Sequence, residues 1–419
     1  MTDAPRRSIP ATGRPWEELR AELEAAKKHD FSWREGRMAL YFYYLNEEVK
    51  RVQQEAYLAY WTENAMGQRA FPSLKSLEDE VIAMALSLLG GGERAGGTFT
   101  SGGSESIFLA MMAARNRARA QRGVARPNIV LPDTAHLTFD RAAEALGLEA
   151  RRVPVGPDLR ADVAAMEARM DGDTVALVGS APNYPFGTFD PIADIAALAA
   201  RSGAWMHVDA CVGGFLAPYV RRLGHAIPPF ELNVPGVTSM SADIHKHGMA
   251  PKGASLLLVA DAADREWHKF ESRAWQRGPY VAYTTQGTRP GGAVAAAWAA
   301  MNHLGDEGYL RCARLIMEAK AIMTAGIAAI PGLEILQPSD LGIFVWRATD
   351  PALDIGKVAA ALDAEGWLVG RQQEPDGIHL HLNPIHREVA GEYVEAVARA
   401  VAAARGGQNS RIGANERTY

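Results

Sequence analysis

Ser241-Ala-Asp-Ile-His-Lys-His-Gly-Met-Ala-Pro-Lys-Gly-Ala-Ser255 decides how this chain is read. Lys246 lies in a short polar turn between two apolar runs, 233–240 and 254–259. A lysine held between two strands is expected to shed its proton more readily than one on a solvated helix. That makes Lys246 a candidate for a Schiff base with a carbonyl cofactor. On its own such a lysine is most often a surface loop residue. Three stretches upstream change the reading.

Phe99-Thr-Ser-Gly-Gly-Ser-Glu-Ser-Ile-Phe108 comes just before a helix expected over 106–119. Its glycines and hydroxyls, Gly103 and Ser104 among them, make an anion cradle, because free backbone N–H groups and the helix dipole both favour a phosphate there. The spacing is neither a P-loop nor G-x-G-x-x-G, so a nucleotide is not the first expectation. His207-Val-Asp-Ala-Cys-Val-Gly-Gly-Phe215 sets Asp209 at the end of an apolar strand. Ligands of open parallel sheets sit beyond the carboxyl ends of the strands, and an acid there can hold a protonated ring nitrogen. The small residues Ala210 and Cys211 leave room for a flat ring. Leu131-Pro-Asp-Thr-Ala-His136 places an imidazole after another strand, where it can stack on that ring. Each stretch alone also reads as a helix cap, a turn-capping acid or a loop histidine. Together they supply a phosphate cradle, a stacking ring, an acid and a nucleophilic lysine, which are the needs of pyridoxal 5'-phosphate.

The rest of the chain fits a large α/β region followed by a smaller one. Its 419 residues exceed one small domain. Hydrophobic residues make up 48% and charged residues 22%, an ordinary globular balance. The net charge of −5, with Lys and Arg spread along the chain, gives no basic surface for nucleic acid. The two cysteines, Cys211 and Cys312, have no metal-ligand spacing and build no disulfide scaffold. A reducing cytoplasm is therefore expected, and no metal. The start, Met1-Thr-Asp-Ala-Pro-Arg-Arg7, lacks the apolar core of a signal peptide. No run of about 18 apolar residues suggests a membrane span.

Residues 1–75 read as an N-terminal helical arm, with helices expected over 15–28 and, from aromatic spacing, across 34–61. A helix is expected over 76–89 with Ser76 as its cap. Within a large domain of 76–305, apolar strands such as 129–131, 174–179 and 205–208 alternate with helices over 138–146 and 191–202. That rhythm predicts a mostly parallel sheet covered by helices. A helix over 306–329 leads into a small α+β domain, 306–404, and 405–419 reads as a disordered tail.

The motifs resemble those of fold-type-I pyridoxal-phosphate enzymes, and within them the sphingosine-1-phosphate lyase branch of the group II decarboxylase superfamily. The resemblance rests on 100–106, 241–253, Gly179-Ser-Ala-Pro-Asn-Tyr-Pro-Phe-Gly-Thr188, 207–215 and Gly287-Thr-Arg-Pro-Gly-Gly292. It implies a Schiff base on Lys246, Asp209 at the ring nitrogen and His136 over the ring. Gly103, Ser104 and His245 would lie near the cofactor phosphate. It further implies a homodimer with interfacial sites, in which Gly287 and Thr288 reach the partner's phosphate. The implied reaction is retro-aldol cleavage of a phosphorylated β-hydroxy amine. Lys252 matches a second lysine that contacts substrate phosphate. The chain departs from the pattern at Gly67, where the lyases typically carry a histidine, and at His247, where a tyrosine is common. Arg69 is a nearby substitute anion binder, and the Asn183-Tyr184 pair is expected beside the substrate, with Tyr184 or Lys246 handling protons. The eukaryotic lyases carry a membrane anchor, and none is expected here. The alternative is an amino-acid α-decarboxylase on the same scaffold. An aminotransferase, using Arg371 for a carboxylate, and a non-catalytic protein are more remote readings.

Overall fold

The computed structural model of the chain describes residues 8–406. Helices α1 (Trp16–Ala26), α2 (Glu47–Ala59) and α3 (Pro72–Leu88) come first, followed by strand β1 (Gly96–Thr100). Helices and strands then alternate as α4 (Gly103–Arg122), β2 (Asn128–Pro132), α5 (Thr138–Leu146), β3 (Glu149–Val153), α6 (Val163–Arg169), β4 (Thr174–Ser180) and α7 (Ile192–Ser202). The run continues with β5 (Trp205–Asp209), α8 (Ala217–Arg222), β6 (Ser239–Ala242) and β7 (Ser255–Val259). A short hairpin, β8 (Phe270–Ser272) and β9 (Tyr280–Ala282), precedes the long α9 (Gly291–Ala328). The C-terminal part holds β10 (Leu333–Ile335), β11 (Ile343–Ala348), α10 (Ile355–Ala364), β12 (Gly370–Gln372), β13 (Gly377–His381) and α11 (His386–Arg405).

The large sheet has seven strands in the order β1-β7-β6-β5-β4-β2-β3. Only β7 runs against its neighbours, so the sheet is mostly parallel, as expected. Its central strands β2, β4, β5, β6 and β7 are buried along their whole length, which is why they read as continuous apolar runs and not as alternating ones. The register puts Ser180, Asp209 and Ser241 side by side at the carboxyl edge of β4, β5 and β6. The smaller C-terminal sheet is antiparallel, in the order β10-β11-β13-β12, and α10 and α11 belong to the same part of the chain.

Two expectations are corrected. The helix foreseen across 34–61 exists only as α2, where the Asn46 side chain caps the Val49 amide at 2.9 Å. Residues 36–46 run extended, with Met38 bridging Leu368 and the His381 amide donating to the Ala39 carbonyl at 2.9 Å. Positive φ at Gly36 (69°) and Tyr41 (62°) is incompatible with a helix, and aromatic spacing alone did not reveal it. Helix α3 starts at Pro72 and not at Ser76, because proline suits the first helical position. The helix expected over 306–329 is present as the second segment of α9, which ends at Ala328 and is broken from the first at Gly305 (φ 55°, ψ −173°); the first segment, from Gly291, was not foreseen. Its opening glycines allow close packing: a Cβ at Gly292 would lie 2.7 Å from Tyr57. The tail expectation falls almost wholly on 407–419, outside the described residues, as do positions 1–7 of the arm.

One latch ties the loop after β4 to the C-terminal part. Asp340 accepts from the Arg160 guanidinium at 2.9 and 3.1 Å and from the Phe189 amide at 2.8 Å. Its own amide donates to Gly187 at 2.8 Å. Removing one partner of such a partly buried pair leaves a charge uncompensated, at a cost of about 3 kcal/mol. Asp340→Ala is expected to lower the thermal midpoint by several degrees, and Asp340→Asn by less. An unchanged melting curve for Asp340→Ala would show that the latch is not structural.

Candidate active site

A cavity of about 230 Å³ opens beyond the carboxyl edge of the large sheet. Lys246, Asp209, His136, His245, Tyr184 and Lys252 all line it. They come from the end of β5 and from the loops after β2, β4 and β6, and the sheet brings them together.

Lys246 follows β6, and its Nζ lies 2.9 Å from Asp243 Oδ2. Burial alone would lower the ammonium pKa. The Asp243 carboxylate, together with Cys211, Tyr43 and Asp209, outweighs that and holds it well above the ordinary lysine value. This reverses the expectation that Lys246 sheds its proton easily: in the free protein it is held charged. Burial would raise the Asp243 carboxyl, but Lys246 and His245 hold it below the usual range. Asp243 is the residue that the sequence reading missed. It stood within the quoted stretch, three residues before the lysine, and its side chain is almost fully buried.

Asp209 ends β5. Its Oδ1 accepts from the Cys211 amide at 3.1 Å and from the Ser241 hydroxyl at 3.2 Å. His136 Nδ1 accepts the Thr138 amide at 3.1 Å, which leaves the proton on Nε2. Burial lowers its pKa, so the ring is neutral. His245 Nδ1 accepts from the Ala254 amide at 3.3 Å. Burial pushes this ring down to about 4, so its 3.6 Å approach to Asp243 is a dipolar contact and not an ion pair. Lys252 sits at the cavity mouth with Nζ 4.7 Å from the centre of the Tyr43 ring. Burial of its amine, together with the charge of Lys246, lowers it to about 8, although the residue as a whole stays exposed to water.

The glycine-rich stretch meets this cavity from the side. A Cβ at Gly103 would lie 2.7 Å from Cys211 Sγ and 3.0 Å from both Asp243 oxygens, so any side chain would fill the gap between α4 and the lysine loop. Ser104 shares its hydroxyl with Thr138 at 3.4 Å. It lines a second hollow of about 350 Å³ with Ser101, Glu105, Arg141 and Thr285. Glu105 accepts from the Ser101 amide at 2.7 Å and from both the amide and the hydroxyl of Thr285, which ties the 285–288 turn to the cradle.

Other expected site residues lie elsewhere. Asn183 is fully buried and shapes its own loop, donating to Leu159 O at 3.1 Å and accepting from the Phe186 amide at 3.1 Å. It does not line the cavity. Arg69 is exposed and does not line the cavity. Gly287 and Thr288 also lie outside it, on a turn zipped to the 64–67 loop, where the Ala65 amide donates to Arg289 O at 3.0 Å. Arg371 is paired with Asp376 at 2.6 Å from β12 and does not line the cavity. Conversely, Tyr41, Tyr43 and His381 line the cavity although the sequence did not single them out. The signal for His381 was the alternation His379-Leu-His381 in a strand, which puts both rings on one face.

The donor set fits pyridoxal 5'-phosphate. Gly103 keeps open a cradle that a Cβ would fill, and the buried Asp209 carboxylate borders the cavity at the end of its strand. The groups able to hold the cofactor are Lys246 for its aldehyde, Asp209 for its ring nitrogen, His136 for its ring face and the Gly103–Ser104 end of α4 for its phosphate. When bound, the cofactor takes up the electron pair released from a bond to the amine-bearing carbon of the substrate.

A fold and pocket of this kind define a pyridoxal-phosphate enzyme. The pyridoxal-dependent decarboxylase conserved domain matches residues 62–349, and the chain belongs to that family. Among curated relatives, sphingosine-1-phosphate lyase from rice is 36% identical over 89% of this chain and 70% of its own length. Sphingosine-1-phosphate lyase 1 from mouse is 34% identical over 94% and 70%. A solved sphingosine-1-phosphate lyase from Burkholderia pseudomallei, 36% identical, superposes with a TM-score of 0.92 over 97% of this chain and 95% of that one. The chain is a pyridoxal-phosphate-dependent lyase. Among the described residues no helix is long and apolar enough to cross a membrane.

Burial also sets the response to acid. It pushes six histidines, among them His245, His247, His379 and His386, down to about 4. Unfolded, these rings titrate near 6.5. Between those values the unfolded chain binds protons that the folded chain refuses, so stability present above pH 6.5 is lost as pH falls, by up to about 1.4 kcal/mol per pH unit for each ring. Asp190, pushed up to about 6 by burial, acts in the opposite sense. The thermal midpoint is expected to fall steeply from pH 6.5 to 4.5, with a shallower slope in His247→Tyr. A flat profile would contradict the neutral assignments.

Proposed function

We propose that this protein is a carbon–carbon lyase that cleaves a phosphorylated β-hydroxy amine, such as sphingosine 1-phosphate, to an aldehyde and phosphoethanolamine. The observation that carries this reading is Lys252, a second cation in the same cavity as Lys246. Its position suits a phosphate held away from the reacting carbon. Among the described residues lining that cavity there is no arginine to take a carboxylate next to Cα. This weighs against the α-decarboxylase alternative, as do the named relatives.

In this reading Lys246 attaches the cofactor, Asp209 keeps its ring nitrogen protonated and His136 stacks on the ring. Gly103, Ser104 and His245 surround the phosphate. Tyr184 lies against the His379 and His381 rings at 4.8 and 5.8 Å and borders the substrate space. The chain works as a cytoplasmic homodimer with interfacial sites, and the 287–288 turn serves the partner's cofactor. Support for the dimer comes from the apolar side chains Leu58, Trp61, Met66 and Leu137, which are exposed in the single chain. Met66 also borders that turn, 3.7 Å from a Cβ built on Gly287.

The test is a product assay on cofactor-loaded protein, with sphingosine 1-phosphate and, separately, a panel of amino acids. Aldehyde and phosphoethanolamine are expected, with no carbon dioxide. Lys246→Ala is expected to abolish the reaction. Lys252→Ala is expected to raise KM about 10- to 100-fold, the worth of one charge-assisted contact. Carbon dioxide without aldehyde would overturn the lyase reading in favour of the decarboxylase.

A further inference from the structure

Retro-aldol cleavage needs a group that takes the β-hydroxyl proton, and the role of that group rests on the lyase reading of the reaction. Most polar groups in the cavity are already committed. Lys246 is held charged by Asp243. His136 and His245 each spend Nδ1 on a backbone amide, at 3.1 and 3.3 Å. Tyrosines at neutral pH are donors and weak acceptors. Two more rings stand behind the wall: His379 Nε2 meets the Tyr184 carbonyl at 2.9 Å, and His247 is wedged between the Val212 and Leu382 carbonyls at 3.1 and 3.3 Å.

His381 differs from all of these. It lines the cavity from β13, and each of its ring nitrogens lies 3.4 Å from the Tyr43 hydroxyl. The Tyr43 ring in turn carries Lys252 Nζ at 4.7 Å. One tyrosine ring therefore separates the cation suited to the substrate phosphate from a neutral imidazole with one nitrogen lone pair to offer. In a phosphorylated β-hydroxy amine the phosphate and the hydroxyl lie on opposite sides of the amine-bearing carbon. A wall with a cation at one end and a base at the other matches that order.

We propose that His381, oriented by the Tyr43 hydroxyl, is the catalytic base that accepts the β-hydroxyl proton. The proton moves from the hydroxyl oxygen to an imidazole nitrogen. The O–H electron pair becomes the second bond of the aldehyde carbonyl. The Cα–Cβ bond breaks, and its pair passes to the bound cofactor. The imidazolium returns its proton to water when the aldehyde leaves. Burial, the neighbouring rings of His247 and His379 and the charge of Lys246 keep the ring unprotonated in the free protein.

The test separates this role from a structural one by using a half-reaction that needs no β-hydroxyl base. Cofactor-loaded wild type and His381→Gln are compared in three measurements: aldehyde release from sphingosine 1-phosphate, exchange of the α-hydrogens of phosphoethanolamine in D2O by NMR, and cofactor affinity by absorbance titration. Loss of a general base predicts a fall of about 100-fold or more in kcat for cleavage. Exchange and cofactor affinity should stay within about twofold of wild type. Tyr43→Phe keeps the ring and removes the hydroxyl; it is expected to slow cleavage by about 10-fold, the worth of one hydrogen bond, with exchange unchanged. Undiminished cleavage in His381→Gln, or exchange and affinity falling in parallel with cleavage, would overturn the proposal. If His381→Gln does not fold, unchanged cleavage in Tyr43→Phe would overturn it. Wild type that exchanges phosphoethanolamine but releases no aldehyde would instead sink the reaction reading itself, and this role with it.

Discussion

The contact on which the site depends is the 2.9 Å pairing of Lys246 with the buried carboxylate of Asp243. A carboxylate taken out of water is costly unless a cation compensates it. Here the cation is the residue that must later give up its charge. Asp243 thus does two things at once. It fixes the lysine in the turn after β6, and it stores an unmet demand for positive charge that attachment of a cofactor would renew. The glycine at 103 follows from the same constraint, because the end of α4 packs so close to Asp243 and Cys211 that no side chain fits. The anion cradle and the lysine loop are therefore two sides of one packed joint.

The sheet explains why so few residues suffice. Parallel strands end in register, so Ser180, Asp209 and Ser241 arrive together without long-range design in each loop. The loop carrying Tyr184 is locked to the C-terminal part by the Arg160–Asp340 pair, and β13 brings His381 to the same cavity from that side. A site built from both parts of the chain is sensitive to how they sit against each other, which is why a latch remote from the chemistry bears on it.

Much of this was legible in the sequence. Buried parallel strands announce themselves as apolar runs, and 174–179 and 205–208 were placed within a residue of their observed ends. Lys246, Asp209 and His136, which line one cavity, stand out in the sequence because each lies at the end of such a strand or within four residues of it. What failed were residues whose neighbours are distant in sequence. Tyr41 and Tyr43 reach the cavity through an extended segment laid along the small sheet and His381 reaches it from β13, and no local pattern encodes their meeting. Arg69 and Asn183 lie near motif residues in sequence but do not line this cavity, because one is exposed and the other is buried in its own loop. The protonation of Lys246 was misjudged because burial was weighed without its partner, and the sign of the shift depends on Asp243.

Two lysines share one cavity, and in the free protein Lys252 is the one more easily neutralised. Attachment nevertheless falls to Lys246, on the position of Asp209, His136 and the cradle around it. The most direct test is to load the protein with pyridoxal 5'-phosphate, reduce it with borohydride and locate the modified lysine by peptide mass spectrometry. Modification at Lys246, absent in Lys246→Ala and retained in Lys252→Ala, is the predicted result. Modification at Lys252 in the unaltered protein would contradict the assignment of the site.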